Sequence, residues 1–313
     1  MKVFTIIITY NGMKWIDKCL NSIINQCEVV VVDNNSSDET VGYIKTNFSC
    51  VKVLVQSVNR GFGIANNIGI SYALQNGADA VFLLNQDAFA QAACMKNLIT
   101  AYQKNPDYGI ISPIHLNGDG SKVDRSFLAF THANASILIS DLIVSKSLDE
   151  IYFTKFINAA AWFIPKKVFY KVGGFDPIFF LYGEDDNYCQ RILFHGFKIG
   201  ITPNSTVYHD SNNNNSQLGT VGTEKYFRQF INNIYVKYGN VNTDDYKQLL
   251  KFKMYLLKRS IQSLLVFDWV KSKVYVEKFK RIDIDKISHS VKLNRESKAN
   301  YLEINTDVQS IID

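Results

Sequence analysis

The chain has 313 residues, about twice the length of a common single domain, with 47% hydrophobic and 13% aromatic residues and only 5 prolines. That composition supplies a sizeable core and excludes a fibre, a disulfide miniprotein and a disordered tail, leaving one large α/β domain with an appendage, or two domains. Net charge is +5, but residues 220–313 hold 17 Lys+Arg against 11 Asp+Glu, so the basic excess lies entirely in the last third.

The first hundred residues alternate strand and helix signals. The opening MKVFTIIITYNG is too short for a signal-peptide core and reads as a strand over 2–9. Trp15, Ile16, Leu20, Ile23 and Ile24 fall at helical spacing within 12–26, and EVVVVD at 28–33 reads as a buried parallel strand. Ser36 with Glu39 predicts a capping box for a helix ending near Asn47. A strand over 51–56, a helix over 63–76 and a strand over 80–84 follow. Alternation of this kind predicts right-handed βαβ units in an open, mostly parallel sheet that binds ligand at the carboxyl ends of its strands. Beyond an irregular stretch over 115–150, a strand over 156–165 and helices over 166–172 and 184–195 complete a domain of residues 1–215. The polar tract Asn212 to Asn215 suits a loop or linker, and helices over 224–239 and 246–267 open a mainly helical basic extension, 216–313, whose tail after Ile282 is polar and without a clear pattern.

No stretch reaches the roughly 18 to 20 apolar residues of a membrane span. The 5 cysteines are scattered and include no C-x-x-C pair, against a disulfide framework or a zinc site and consistent with a reducing cytoplasm.

The strand ends are unusually polar: Thr9-Tyr10-Asn11, Asp33-Asn34-Asn35, Asn59-Arg60-Gly61-Phe62-Gly63 and Asn85-Gln86-Asp87. Each alone suits a turn or a helix cap. In a parallel sheet they converge on one edge, where they suggest a nucleotide site.

These pieces, with N-R-G-F-G-I-A-N-N at 59–67, G-G-F-D at 173–176, G-E-D-D-N-Y-C-Q-R at 183–191 and Y-H at 208–209, resemble in order and spacing the inverting nucleotide-sugar glycosyltransferases of family 2, which share the GT-A fold. The resemblance covers about residues 3–210 and includes rhamnosyltransferase-like members. It implies that Asp33 accepts a hydrogen bond from the pyrimidine N–H of a UDP- or dTDP-sugar, a role consistent with a carboxylate that only accepts. Thr9, Tyr10, Asn11 and Asn35 would line the same donor pocket, Asn59, Arg60, Gly63 and Asn66 would approach the diphosphate, and Asn85 and Gln86 would complete it. Asn85-Gln86-Asp87 stands where the family carries D-x-D, so Mg2+ or Mn2+ would be held by Asp87 with His209 as a further ligand. The amide at Asn85 weakens that site.

By match to the family's E-D motif, Asp185 would be the base that activates an acceptor hydroxyl and Glu184 would contact the acceptor, with Asp186 beside them and the flanking Trp162 as further acceptor contacts. Arg191 could steady the acids, and Phe175, Phe179, Phe180 and Tyr182 could stack on sugar rings, although aromatics of this kind are more often core. The resemblance thus implies transfer of one sugar to a saccharide or lipid-linked acceptor in cell-surface polysaccharide synthesis. A non-catalytic sugar-binding module and a sugar nucleotidyltransferase are the alternatives; the second lacks its phosphate loop after the first strand. Residues 246–281 hold 10 Lys+Arg against 2 acids beside an apolar stripe at Leu250, Met254, Leu257, Ile261 and Leu264. That pattern suits either an anionic membrane surface on the cytoplasmic side or packing on the catalytic domain or a homodimer partner. No nucleic-acid partner is expected.

Overall fold

The computed structural model describes residues 1–211 and 219–304. The first half runs β1 (Val3–Thr9), α1 (Ile16–Ile23), β2 (Glu28–Asp33), α2 (Thr40–Asn47), β3 (Lys52–Val55), α3 (Phe62–Gln75) and β4 (Ala80–Leu84). These are the expected βαβ units. Val3 and Ile7 face one apolar layer and Phe4 and Ile6 the other, so the strand is buried on both faces, as a parallel sheet flanked by helices requires. The capping box does not form: α2 begins at Thr40, whose hydroxyl donates to Asp38 Oδ1 (2.5 Å), while Ser36 Oγ accepts the Asn11 amide instead.

Then follow β5 (Ala88–Ala90), α4 (Cys94–Lys104), β6 (Tyr108–Asn117), α5 (Arg125–Asn134), α6 (Ser136–Ile143), β7 (Tyr152–Thr154), β8 (Ala161–Pro165), α7 (Lys166–Val172), α8 (Glu184–Phe194) and β9 (Lys198–His209). All nine strands join one sheet in the order β3-β2-β1-β4-β8-β6-β9-β5, with β7 also on β9. Strands β3, β2, β1 and β4 are mutually parallel, as are β6 and β9, whereas β8 enters antiparallel between β4 and β6. The register levels Thr9 with Asp33 and Asp33 with Val55, which sets the carboxyl ends of three strands in a row. Pairing of Ala88 with His209 brings the far strand to the end of β4.

The motif segments brace one another. Asn67 exchanges two hydrogen bonds with the Phe175 backbone (2.7 and 2.8 Å), joining α3 to the G-G-F-D turn. Asp176 in that turn is buried and accepts from Ile178 N (2.9 Å), Ser290 Oγ (2.5 Å) and Asn294 Nδ2 (2.7 Å). The last two belong to α12 (Ile284–Arg295), preceded by α9 (Glu224–Tyr238), α10 (Leu249–Leu265) and α11 (Trp269–Arg281). Within the polar stretch after Ile282, whose composition shows no clear pattern, Ile284–Arg295 form this helix. Asp283 caps it through Lys286 N, and Ile287 and Val291 are buried in a third apolar cluster with Phe179 and Ile234. Asn212 to Asn215 and the boundary expected there lie outside the described residues. Among the described residues no single helix is long and apolar enough to cross a membrane.

Replacing Asp176 by Ala would strand buried donors from two elements at once. A loss of about 2–4 kcal/mol is expected, because bonds to a charged acceptor contribute more than neutral ones and the donors cannot reach water. Urea unfolding of the wild type and the Asp176→Ala variant checks it.

Candidate active site

A cleft of about 600 Å³ opens at the carboxyl ends of the strands. Its floor comes from β1 and β4, and its walls from the loop before α3 and the segment leading into α8. Gln86 staples the floor: its Oε1 accepts from Thr9 Oγ1 (2.7 Å) and the Tyr10 amide (3.1 Å). Asn34 and Asn59 staple one wall, with Asn34 Nδ2 donating to Asn59 Oδ1 (2.9 Å) and Asn34 Oδ1 accepting the Arg60 amide (2.8 Å). Gly61 has φ +79°, and a β-carbon there would lie 2.0 Å from the Phe180 carbonyl oxygen. Only glycine lets this loop close on the opposite wall.

At the other wall α8 begins with Glu184, Asp185 and Asp186. Glu184 and Asp185 line the cleft and Asp186 does not. Burial, reinforced by Asp185 and Asp186, pushes the Glu184 carboxyl up to about 8, and its Oε2 is buried without a hydrogen-bond partner among the described residues. Burial also raises Asp185, against the opposing pull of the Asp186 amide on its Oδ1 (2.9 Å), and with Asp185's charge it raises Asp186 to about 7. At neutral pH Glu184 thus keeps its proton and can donate a hydrogen bond, and the proton affinity of Asp185 beside it is raised as well. Neighbouring carboxyls whose proton affinity is raised toward neutral pH suit proton transfer to and from a substrate.

Because Glu184 binds its proton more tightly folded than unfolded, it favours the folded state at low pH. That contribution is complete below about 4.5 and is lost as pH rises toward about 8. Wild type minus Glu184→Gln is therefore expected to lose stability across this window with a limiting slope of about 1.4 kcal/mol per pH unit. Denaturant melts of both proteins at a series of pH values read that difference.

Asp87 also lines the cleft, and its Oδ1 is 3.5 Å from His209 Nε2; on the far side of the ring, Asp124 Oδ2 is 3.6 Å from Nδ1. Burial alone would depress the imidazole, but the two carboxylates outweigh it and raise His209 to about 9. Asp124 is itself fixed as the cap of α5 through Phe127 N (2.8 Å) and by Ser211 Oγ (3.0 Å). Sequence reasoning missed Asp124, although an Asp three residues before Phe127 at a helix start is a capping signal. Among the described residues no three His, Cys, Asp or Glu are grouped to hold a metal ion. Asp87 and His209 are close enough to share one cation, which would have to displace the ring proton that the two carboxylates favour, with Asp124 orienting the ring; Mg2+ commonly takes its remaining ligands from water and substrate phosphates.

Of the residues predicted for the site, the cleft wall gathers Tyr10, Asn59, Asn85, Gln86, Asp87, Glu184 and Asp185. Thr9 and Asp33 lie buried at the same edge, and Asp33 accepts Ser36 N through Oδ2 (3.1 Å) while Oδ1 has no partner among the described residues. Asn11 and Asn35 are on the adjoining exposed loops with positive φ, and Asn11 Oδ1 already accepts Ser37 N (2.9 Å). Several placements differ from expectation. Trp162 is fully buried in β8, stacked on Phe175 and Tyr188, so the exposed Phe180 and Tyr182 present rings to the cleft instead. Asn66 is buried and donates to Phe62 O of its own helix, and Gly63 packs against the Phe175 side chain. Arg60 lines a separate hollow beside Gln56 and Tyr301. Arg191 points away from the acids to the carbonyls of Gly174 and Val172.

The family profile for glycosyl transferase family 2 matches residues 5–162. A dTDP-rhamnosyl transferase, RfbF of Shigella flexneri, is 26% identical over 66% of this chain and 68% of its own length. The low-salt glycan biosynthesis hexosyltransferase Agl10 of Haloferax volcanii is 28% identical over 62% of each. Among solved structures, GalNAc-T7 with UDP, GalNAc and Mn2+ superposes with a TM-score of 0.60 at 17% identity, covering 99% of this chain and 58% of that one. TarS 1-349 of S. aureus in complex with UDP gives 0.53 at 16%, covering 94% and 91%. These likenesses carry the fold alone, and it is the profile match, extending over half the residues and taking in the strand ends that build the cleft, that makes the chain a member of glycosyl transferase family 2.

Proposed function

We propose that the protein transfers a single sugar from a UDP- or dTDP-sugar to a hydroxyl of a saccharide or lipid-linked acceptor during cell-surface polysaccharide synthesis, with inversion. The observation that carries this reading is the meeting of Tyr10, Gln86 and Asp87 with Glu184 and Asp185 around one cleft. The Asp33 oxygen left without a partner among the described residues suits the N3–H of uracil or thymine and disfavours cytosine, whose N3 accepts. The acceptor oxygen attacks the anomeric carbon, the bond to the diphosphate breaks, and the acceptor proton passes to Asp185. Neutral Glu184 holds the acceptor by donating to one of its oxygens. Mg2+ or Mn2+, held by Asp87 with His209, would offset the diphosphate charge. With a lipid-linked acceptor the enzyme would work on the cytoplasmic face of a membrane.

A thermal-shift screen of UDP- and dTDP-sugars with and without Mn2+ tests the donor. The matching donor is expected to raise Tm by a few degrees, by mass action on the folded state. Slow release of nucleoside diphosphate without acceptor separates an enzyme from a binding module. No shift with any of these donors, and no release, would exclude the reading.

A further inference from the structure

The helical hairpin α10–α11 stands out because its tip is apolar and uncovered. Leu265, Val266, Phe267, Trp269 and Val270 are between 60% and 79% exposed, values that no ordinary turn needs. Phe267 also occupies a position with φ +57°, which glycine or asparagine would adopt more easily. The sequence therefore keeps a large apolar ring there against both local geometry and solvation.

Three hydrogen bonds tie part of the tip's backbone to the tip itself. Phe267 N donates to Leu264 O (3.0 Å), Asp268 N to Ser263 O (2.9 Å), and Lys271 N to Asp268 Oδ1 (3.0 Å). Internal pairing of this kind is what a segment needs before entering a medium without water. The helices are held together below the tip by Ser260 and Ser272, whose hydroxyls are 2.8 Å apart. Within two turns of the tip stand Lys258, Arg259, Lys271 and Lys273, and the one acid in 258–273 is Asp268, used as a helix cap. The stripe predicted on α10 continues this surface: Leu250, Met254 and Ile261 are exposed, while Leu249, Leu256, Ser260 and Ser263 are the residues α10 buries.

We infer that the α10–α11 hairpin is a membrane anchor that inserts its apolar tip into the headgroup boundary of an anionic bilayer, with the four cations seated on lipid phosphates. Charge decides the occupant. A convex apolar tip ringed by cations complements an anionic lipid surface, whereas two copies meeting tip to tip would bring like charges together. The inference gives a place to the lipid-linked acceptor of the proposed reaction and rests on that reading for its purpose only, since lipid binding requires no catalysis.

The test is co-sedimentation of the full chain with phosphatidylcholine vesicles, with and without phosphatidylglycerol, together with tryptophan emission. Wild type is expected to pellet with the anionic vesicles, to be released by salt, and to show a blue shift from Trp269. A Phe267→Ser/Trp269→Ser variant should bind about tenfold or more weakly, and so should Lys271→Gln/Lys273→Gln, at roughly a factor of five per basic residue. Donor hydrolysis and Tm should be unchanged in both, because neither pair touches the cleft. Equal binding to neutral and anionic vesicles, wild-type binding by the tip variant, or a dimer that the tip variant dissolves would each overturn the anchor. None of these outcomes would touch the transferase reading, whose own test is donor binding and hydrolysis.

Discussion

Asp185→Asn is expected to lower sugar transfer about 10²- to 10⁴-fold, the usual worth of a positioned general base, while donor binding measured by thermal shift stays within about twofold. The amide is nearly isosteric and can still accept from the Asp186 amide through its oxygen, so the start of α8 should hold. It cannot take the acceptor proton. Removing one negative charge also relieves Glu184 and Asp186, whose carboxyls Asp185 helps to raise, so both should titrate lower in the variant. Glu184→Gln should behave differently: it preserves a donor where the neutral carboxyl was, and the loss should appear mainly in acceptor KM. If Asp185→Asn retained wild-type kcat while Glu184→Gln abolished it, the two roles would have to be exchanged.

Much of this site was legible in the sequence because strand ends in a parallel sheet share an edge whatever the rest of the chain does. Asp33, Gln86 and Asp87 could be placed by counting along apolar runs. The second half of the sheet resisted the same treatment. Strand β6 contains Ser112, Pro113 and His115, and its register with β9 slips at Pro113, so apolar periodicity is broken in both strands. Two of those polar groups pair with each other inside the strand, His115 Nε2 with Ser112 Oγ (3.1 Å), a contact that apolar periodicity does not reveal. Trp162 and Arg191 were misplaced for a related reason. An aromatic or a guanidinium near acidic residues looks like ligand-binding chemistry until its neighbours are known. Here the neighbours are Phe175 and Tyr188 for the indole, and backbone carbonyls of the G-G-F-D turn for the arginine.

That turn explains why the motif pieces belong together without all touching substrate. Asn67 binds Phe175, Arg191 binds Gly174, and Asp176 binds α12. The segment from Gly173 to Asp176 is thus a junction between α3, α8 and the C-terminal helices, and it fixes where α8 begins. Glu184 and Asp185 owe their position to this junction, and their raised proton affinity follows from the burial it imposes. A residue such as Asn66, which faces its own helix, and its neighbour Asn67, which pins the turn, can therefore carry equal weight in a motif and entirely different physical work.

Asp87→Ala is expected to abolish the Mn2+-dependent part of the donor's thermal shift and to lower transfer by about 10²-fold or more, since charge stabilisation by a cation supplies several kcal/mol and each 1.4 kcal/mol is tenfold. The backbone should be indifferent: Asp87 contributes its carbonyl to Asp210 N (2.8 Å), and that contact survives the substitution. His209 would lose one of the two carboxylates that keep it protonated, so its proton affinity should fall, and Asp124 alone would hold the ring. Asn85→Asp supplies the converse experiment. Restoring a second carboxylate two residues before Asp87 adds charge to the same edge, and the Mn2+ concentration for half-maximal donor binding should drop roughly tenfold, with Mg2+ becoming more effective. If Asp87→Ala kept the full Mn2+ response and Asn85→Asp left it unmoved, a cation could not be acting at this strand end, and the diphosphate would have to be neutralised by the protein's own cations.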